Sequence, residues 1–157
     1  MFKLMLGNKR IPSPSMKMVS LSLLYIALFA ASGCAGLGDY DISLPGGYSV
    51  VRTSAHEVAI RKQEGEGVWG GEIVPAKVVQ VGWDDRYILA KQVGLRNDPK
   101  RTDGSYQIPD ETIVAYWIVD PQTNEVYGPM TEENFAARKK ALGIEESVTL
   151  KAVDSLN

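Results

Sequence analysis

The sequence predicts an α+β domain, a mostly antiparallel β-sheet with one helix packed against it near the C-terminus. Three observations predict this class. Short segments with strand-like alternation follow one another along the chain, turn-forming residues separate them, and one well-signalled helix comes after the main strands. This order is typical of an antiparallel sheet rather than of alternating strands and helices. We expect a meander or a half-open barrel.

The first two strands are predicted to follow a turn at Pro45–Gly47, where proline and glycine favour a change of direction. Residues 48–53 are rich in β-forming side chains. The segment EVAIRK that comes next places Val58 and Ile60 on one face of a strand. A hairpin around residues 54–56 is expected to join these two strands.

The glycine-rich stretch QEGEGVWGG predicts a loop, in which Trp69 lies among glycines and is expected to be exposed. The segment IVPAKVVQVGW then alternates as a strand does, with Val79, Val81 and Trp83 on one side. More broadly, the tryptophans and tyrosines of a small domain of this kind are expected to fill its core. Trp69 is the exception, and exposed aromatic residues are where binding energy concentrates.

The clearest hairpin is predicted around the acidic pair at residues 84–85. The segment RYILAKQV after this turn puts Tyr87 and Leu89 on one face of a strand. It puts Ile88 and Ala90 on the other face.

Residues 94–111 carry charge, glycine and two prolines without periodicity, which predicts a long exposed loop. Residues 113–119 are apolar on both faces, as expected of a strand in the middle of a sheet. A turn then leads to a short strand at Val126 and Tyr127.

A helix is predicted over residues 132–142, after the natural N-cap Thr131 and before the stop at Gly143. Phe135 and Leu142 are its expected inward residues, and the segment SVTLKAV after it is a candidate last strand. Acidic residues in the first turn and basic residues in the last turn complement the helix dipole. These residues are Glu132, Glu133, Arg138, Lys139 and Lys140.

The chain opens with a stretch typical of a secretory leader. Residues 1–33 contain four basic residues and no acidic residue. The basic residues all precede a nearly unbroken apolar run at residues 19–31. The run is too short to span a bilayer comfortably, since a spanning helix needs roughly 20 apolar residues. Residues 1–33 are therefore predicted to be a signal peptide.

Small residues stand immediately before Cys34, the single cysteine of the sequence, and this pattern resembles the lipobox of bacterial lipoproteins. The resemblance implies that Cys34 becomes the first residue of the mature chain and carries lipid on its thiol. It departs from the usual pattern at Ala31, where leucine is common. The alternatives are an ordinary signal peptide with an incidental cysteine, or an uncleaved amphipathic anchor. An intramolecular disulfide is excluded because there is no second cysteine.

The mature chain is predicted to consist of a lipidated tether, residues 34–41, and a single domain, residues 42–157. Because four of the 17 basic residues lie in the leader, 13 Lys and Arg remain against 19 Asp and Glu, a formal net charge of −6. A surface of this charge repels nucleic acid, so no nucleic-acid partner is expected. The expected partners are the membrane, through the lipid on Cys34, and a protein or glycan.

Gly65, Gly67 and Gly70 spell the phosphate-binding pattern G-x-G-x-x-G, and Lys77 follows as a lysine follows a kinase glycine loop. A dinucleotide site needs a helix directly after the glycines, whereas the next segment is strand-like. The other kinase motifs are not found after Lys77. A hairpin loop is the preferred interpretation, and no cofactor is predicted.

His56 is the single histidine, and a metal site would need several converging ligands that the sequence does not supply. No metal is predicted there, and Asp98 and Asp103 lack the regular alternation of a calcium loop. The alternative function is an envelope hydrolase that uses carboxylates near His56 and Asp84. Its further candidates are Glu57, Asp85 and the pair Asp110 and Glu111.

From LPGGYSVVRT through WDDRYILAKQ and AYWIVD to YGP, the chain resembles an uncharacterised family of small bacterial lipoproteins, a domain of unknown function. The resemblance covers roughly residues 41–144. Its motifs are strand and turn patterns, so they imply relatives, a bacterial source and a lipid anchor without implying a chemical activity.

The leading hypothesis is a lipid-anchored protein of the cell envelope without enzymatic activity, displayed on the non-cytoplasmic side of the membrane. Its domain is expected to bind a protein or glycan through Trp69 and the loop that carries Asp98 and Asp103. One subtype is an immunity or inhibitor protein, because a small acidic domain can block a basic partner by charge complementarity.

Overall fold

The computed structural model of the chain describes residues 39–104 and 106–156. Within these residues it has two open antiparallel sheets and one C-terminal α-helix, which confirms the predicted α+β class. Cys34 and the leader lie outside the described residues, so the signal peptide and the lipid attachment stay predictions. The first strand begins at Tyr40, within the predicted tether.

The first sheet, called sheet A, is a meander of four strands whose order in space is their order in the chain. The predicted hairpin around residues 54–56 is confirmed, with Val50 opposite Ile60 across it. The strands are β1 (Tyr40–Leu44), β2 (Tyr48–Arg52), β3 (Val58–Gly65) and β4 (Val68–Val74).

The second sheet, called sheet B, has five strands in the spatial order β8-β7-β6-β5-β9. The predicted hairpin around residues 84–85 joins β5 to β6 and is confirmed. The candidate last strand is short, because only its end pairs with β5. The strands are β5 (Val78–Trp83), β6 (Ile88–Asn97), β7 (Gln107–Asp120), β8 (Glu125–Met130) and β9 (Lys151–Ala152).

Helix α1 (Glu132–Ala141) begins at the predicted residue and ends one residue before the predicted Leu142, which is its C-cap. The Thr131 hydroxyl accepts a hydrogen bond from the backbone N–H of Asn134 at 3.3 Å, which satisfies one of the free donors at the helix start. Gly143 follows with φ 68°, a left-handed value that suits glycine after a helix. No helix of residues 39–104 and 106–156 is long and apolar enough to cross a membrane.

Sheet B is the middle of three layers. One face packs on sheet A around a core that includes Val50, Ile60 and Ile88. The other face packs on α1 and the C-terminal segment around Leu89 and Phe135. The alternation predicted for β6 is therefore confirmed, and both of its faces are buried.

The prediction of a loop at the glycine-rich stretch, residues 63–71, is wrong. Strands β3 and β4 continue to Gly65 and Val68, which pair with each other, so the connection is a turn of two residues. Gly67 adopts φ 69° there, a conformation that glycine allows at no steric cost. Trp69 is consequently a half-buried residue of β4 opposite Gln63, and the prediction that it is an exposed loop residue is also wrong.

The alternation predicted for β5 holds only in part. The pairing with β6 shifts between Val78 and Gln80, as at a β-bulge, and the shift turns Val78 as well as Val81 into the core between the sheets. Val79 is half-buried, and Trp83 is 38 % exposed.

The long exposed loop predicted for residues 94–111 is mostly a hairpin, called the arm. Gly94 pairs with Asp110 and Asn97 pairs with Gln107, so β6 and β7 extend through much of the segment. Charged residues and a proline are compatible with these strands because the arm is largely open to solvent. The pairing jumps from Val93–Val114 to Gly94–Asp110, so that three extra residues of β7 bulge at the base of the arm.

Candidate functional site

The turns of the domain gather at two opposite ends, because successive strands of each sheet run in opposite directions. One end, called the Tyr40 end, contains the start of β1, residues 53–57 and the arm tip, residues 98–106. The other end, called the Trp83 end, contains the turns after β1, β3, β5 and β7. Contacts between the two sheets at each end keep these groups of turns together.

At the Tyr40 end, the C-terminal segment is joined to the start of sheet A. The Tyr40 hydroxyl donates a hydrogen bond to Asp154 at 3.4 Å, and the Arg52 guanidinium forms an ion pair with the same carboxylate at 3.4 Å. The Arg52 guanidinium also lies 5.4 Å from the centre of the Tyr40 ring. The start of β1 is therefore fixed to the body of the domain at this end.

His56 joins the loop after β2 to the arm tip. Its Nε2 shares a hydrogen bond of 3.0 Å with the Tyr106 hydroxyl, and the two rings meet edge to face at 5.5 Å. Its Nδ1 is shielded from solvent and has no hydrogen-bond partner among the described residues. The Arg101 guanidinium lies 4.9 Å from the centre of the Tyr106 ring. His56 thus holds two loops together.

Asp98 closes the base of the arm tip rather than pointing to an open site. Its backbone N–H donates to the carbonyl of Tyr106 at 2.9 Å, and its carboxylate accepts from the backbone N–H of Lys100 at 2.9 Å. Asp103 is an exposed residue further along the same tip.

At the Trp83 end, the buried carboxylate of Asp120 organises the turn after β7. It accepts backbone hydrogen bonds from Gln122 at 2.9 Å and Thr123 at 3.4 Å, and the Arg86 guanidinium donates to it at 3.3 Å. Burial works to raise the pKa of Asp120, but these hydrogen bonds and the Arg86 charge outweigh it, and the pKa is lowered below its ordinary value.

The same turn docks on sheet A. The Tyr48 hydroxyl donates to the side-chain oxygen of Asn124 at 3.1 Å, and the Lys62 ammonium donates to that oxygen at 2.5 Å. Burial, and secondarily the negative charge of Asp120, raises the pKa of Tyr48. Gly46 lies directly against Pro121. These contacts join the two sheets at the Trp83 end.

A cleft of about 630 Å³ opens at this end, between the turn after β5 and the C-terminus of α1. Trp83 lines it and also lines a smaller cavity of about 250 Å³. The polar wall of the larger cleft includes Asp84, Asp85, Glu145 and Ser147. Its volume lies within the range of ordinary ligand sites.

Some polar groups of the cleft already have partners. Asp84 accepts from the backbone N–H groups of Arg86 at 2.8 Å and Tyr87 at 2.6 Å, so one of its oxygens stabilises the turn. Glu145 accepts from the Ser147 hydroxyl at 3.0 Å. The Arg86 guanidinium lies 4.8 Å from the centre of the Tyr87 ring and is paired with Asp120. The cleft therefore combines an exposed aromatic wall with an acidic rim.

The predicted binding residues do not form one surface. Trp69 lies near the turn between β3 and β4, at the Trp83 end, whereas Asp98 and Asp103 lie in the arm tip at the Tyr40 end. The sequence alone did not single out Trp83 as a binding residue, because its alternation with Val81 placed it among core residues. Its position at the last residue of a strand, next to two aspartates, is the signal that could have identified it.

The acid and base candidates of the hydrolase alternative are also separated. His56 and Glu57 lie at the Tyr40 end, and Asp84 and Asp85 lie at the other end of β6. A strand of 10 residues spans roughly 30 Å, so His56 and Asp84 do not converge on one substrate bond. Within the part of the chain that the structure describes, no three His, Cys, Asp or Glu residues are grouped to hold a metal ion.

Comparison with other proteins identifies a family. No curated protein and no solved structure matches the chain. The family model described as "Protein of unknown function (DUF3997)" matches residues 45–154, which include strands β2 to β9, the arm, the helix and the Trp83 cleft. This match agrees with the resemblance to an uncharacterised domain that the strand and turn motifs indicate. The chain belongs to the DUF3997 family.

Proposed function

We propose that this chain is a lipid-anchored protein of the bacterial cell envelope that binds a protein or glycan partner through the Trp83 cleft. The lipid on Cys34 holds the protein at the membrane, on the non-cytoplasmic side. The domain acts by binding and not by catalysis.

One observation carries the proposal, namely the position of the cleft relative to the start of the domain. Strand β1 begins at Tyr40, six residues after Cys34, and the cleft lies at the opposite end of the strands. A domain anchored through Cys34 therefore holds the cleft away from the membrane, where a partner can reach it.

The composition of the cleft supports recognition. Tryptophan residues are enriched among the residues that contribute most binding energy, and Trp83 is 38 % exposed beside two cavities. Carboxylates and a hydroxyl that line the same cleft can bind the hydroxyl groups of a glycan or the basic side chains of a protein. The separation of His56 from Asp84 supports binding over the hydrolase alternative.

The anchor is tested by mass spectrometry of the N-terminal peptide from a bacterial membrane fraction. We expect the peptide to begin at Cys34 with acyl chains attached, and we expect Cys34→Ala to release the protein from the membrane. A membrane-free wild-type protein with an unmodified thiol would contradict the anchor.

The cleft is tested separately with the full-length acylated protein. Purified cell-wall glycan and cross-linked envelope proteins are the two probes, and Trp83→Ala is expected to lower the affinity for one of them about tenfold or more. Trp69→Ala is the matched control, because Trp69 is half-buried in β4 and does not line the cleft. Equal affinity of wild type and Trp83→Ala for both probes would contradict the proposal.

A further inference from the structure

We propose that the domain has a second ligand site, separate from the Trp83 cleft, which binds a small aliphatic carboxylate. The site is a cavity of about 370 Å³ on the face of sheet B that is turned away from sheet A. It is called the Lys77 cavity. Its lining includes Lys77, Val79, Lys91, Val93, Glu111 and Val114.

Strand pairing places these charged and apolar side chains on one face of sheet B. Residues that lie opposite each other in an antiparallel pair point to the same face. Lys77 exchanges backbone hydrogen bonds of 3.2 and 2.9 Å with Val93, and Val93 pairs with Val114. Lys91 lies two residues before Val93 on β6, and Leu89 on the same face packs on the layer of α1. The Lys77 cavity therefore lies beside the part of the sheet that α1 covers.

Two irregularities of sheet B border the cavity. The pairing of β5 with β6 shifts between Val78 and Gln80, and the pairing of β6 with β7 shifts after Val93. Val79 and Glu111 are extra residues at these two shifts, and both line the cavity. Bulges of this kind often re-aim a side chain next to a functional site. The cavity thus takes two of its lining residues from bulges.

The two lysines that line the cavity are suited to hold one anion. Both Lys77 and Lys91 are half-buried, and neither forms an ion pair with any residue that the structure describes. The Lys91 ammonium lies 5.7 Å from the centre of the Tyr116 ring. The lysines are diagonal neighbours across β5 and β6, a relation that separates residues by roughly 7–8 Å. Both flexible side chains can therefore reach a single carboxylate.

The nearby acidic groups leave the cavity with an excess of positive charge. Glu111 is exposed and is the single carboxylate in the lining, against two ammonium groups. Asp110 does not line the cavity, and its carboxylate accepts hydrogen bonds from the backbone N–H of Thr112 at 3.1 Å and from its hydroxyl at 2.6 Å. Asp154, which lines a smaller neighbouring cavity, is paired with Arg52 at 3.4 Å. The charges of the lining therefore favour a monovalent anion.

The rest of the lining suits an aliphatic body. Val79, Val93 and Val114 present methyl groups to the cavity, and the side chain of Val114 belongs to a residue that is 39 % exposed. Covering such apolar surface with methylene groups is favourable in water. The volume of the cavity is near the lower limit of ordinary ligand sites, which favours a short chain. A short aliphatic carboxylate satisfies both the charges and the apolar surface.

The experiment uses the full-length protein in phosphatidylcholine nanodiscs, with empty nanodiscs as the reference for ligand that enters lipid. Protein that does not enter nanodiscs is titrated in buffer, so a failure of the proposed lipid anchor does not affect the test. Hexanoate is the probe, and isothermal titration calorimetry at neutral pH measures its affinity. Hexylammonium has the same chain with the opposite charge, and acetate has the same charge without the aliphatic body.

We expect hexanoate to bind at least tenfold more tightly than either hexylammonium or acetate. Equal affinity of hexanoate and hexylammonium would overturn the role of the lysines. Equal affinity of hexanoate and acetate would overturn the aliphatic class of ligand. No binding of hexanoate at millimolar concentration would overturn the site itself.

Substitutions locate the site and change the affinity in opposite directions. Lys77→Met and Lys91→Met each remove an ammonium group and keep an aliphatic side chain, so each should weaken hexanoate binding about fivefold or more. Glu111→Gln removes a charge of the same sign as the ligand and should strengthen binding about twofold or more. Lys151→Met is the matched control, because Lys151 is exposed beside Ala152 and does not line the cavity. It should leave the affinity unchanged.

The control variants decide where hexanoate binds. A loss of affinity in Lys151→Met as large as that in Lys91→Met would indicate attraction by overall charge and would overturn the assignment to this cavity. Weaker binding in Glu111→Gln would do the same. Trp83→Ala should leave hexanoate binding unchanged, and a large loss there would place the ligand in the Trp83 cleft instead. Unfolding midpoints equal to that of the unsubstituted protein verify that the variants are folded.

Discussion

At the scale of single residues, Asp120 shows how a buried charge can stabilise a junction between sheets. Its carboxylate is almost fully buried, and three groups donate hydrogen bonds to it, two of them backbone amides of its own turn. The ionised form is the one that these donors favour, which is why its pKa is lowered despite burial. The turn that docks on Tyr48 and Gly46 therefore depends on one negative charge.

We predict that Asp120→Asn lowers the free energy of unfolding by about 1–3 kcal/mol at neutral pH, because hydrogen bonds to a charged group are lost. The folded pKa is below the unfolded value, so this contribution is fully present above the unfolded pKa. It is lost as the pH falls through the folded pKa. Urea unfolding of both proteins at several pH values measures the difference.

The matched control is Asp85→Asn in the neighbouring exposed turn, which should change the free energy of unfolding by less than about 0.5 kcal/mol. A difference between wild type and Asp120→Asn that grows on acidification would contradict the sign of the prediction.

Local patterns predict the conformation of a residue well and its distant partners poorly. Thr131 and Gly143 are predicted as the ends of the helix because capping depends on residues within one turn. The hydrogen bond between His56 and Tyr106 joins residues 50 positions apart, and nothing near either residue in the sequence predicts it. For the same reason the sequence leaves His56 as a candidate acid or base, whereas the structure gives it a partner.

At the scale of elements, the hairpins are predictable where apolar alternation faces a core. Ile88 and Leu89 face opposite layers, and their alternation predicts β6 correctly. The arm lacks this signal because its side chains face solvent on both sides, so its pairing is determined by backbone hydrogen bonds and by continuation from the sheet. The same lack of signal hides the pairing of Gly65 with Val68.

The turn between β1 and β2 provides a prediction that separates backbone strain from packing. Gly46 and Gly47 both have left-handed φ values, 71° and 77°, but a Cβ on Gly46 would collide with Pro121 and one on Gly47 would meet open space. Gly47→Ala should cost about 1 kcal/mol from backbone strain alone. Gly46→Ala should cost about 1–3 kcal/mol more, because the two sheets must move apart there.

Thermal or urea unfolding of the two variants measures this difference. Equal losses of stability in Gly46→Ala and Gly47→Ala would indicate that the contact with Pro121 does not stabilise the junction.

At the scale of the whole molecule, sheet B is buried on both faces. We predict that Ile88→Ala and Leu89→Ala each lower the free energy of unfolding by about 2–5 kcal/mol, because each removes a side chain that is 0 % exposed. In a single sheet with one solvent-exposed face, adjacent residues of a strand would differ sharply. Val126→Ala, at a residue 40 % exposed, is the control that should be nearly neutral.

Urea unfolding tests the three-layer arrangement through this pair. The arrangement would be contradicted if one of the two variants, Ile88→Ala or Leu89→Ala, lost much of its free energy of unfolding and the other lost almost none.

The fold class could be predicted from the sequence, but the division into two sheets could not. Pro75 marks a break between β4 and β5, but the sequence does not indicate that β5 joins a second sheet, because that depends on packing between residues distant in the chain. The candidate site was mispredicted for a related reason. Trp69 and Trp83 each neighbour a glycine, and only the tertiary structure decides which indole borders open space.

The arm has a consequence for how related chains can differ. Because its two strands pair only with each other beyond Val93, adding two residues to each strand would preserve the faces of all side chains and move the tip outward by about 7 Å. The core between the sheets would need no repacking, although the contact between His56 and Tyr106 would be lost. Hairpin length is thus a dimension in which related chains can vary without a change in the packing between the two sheets.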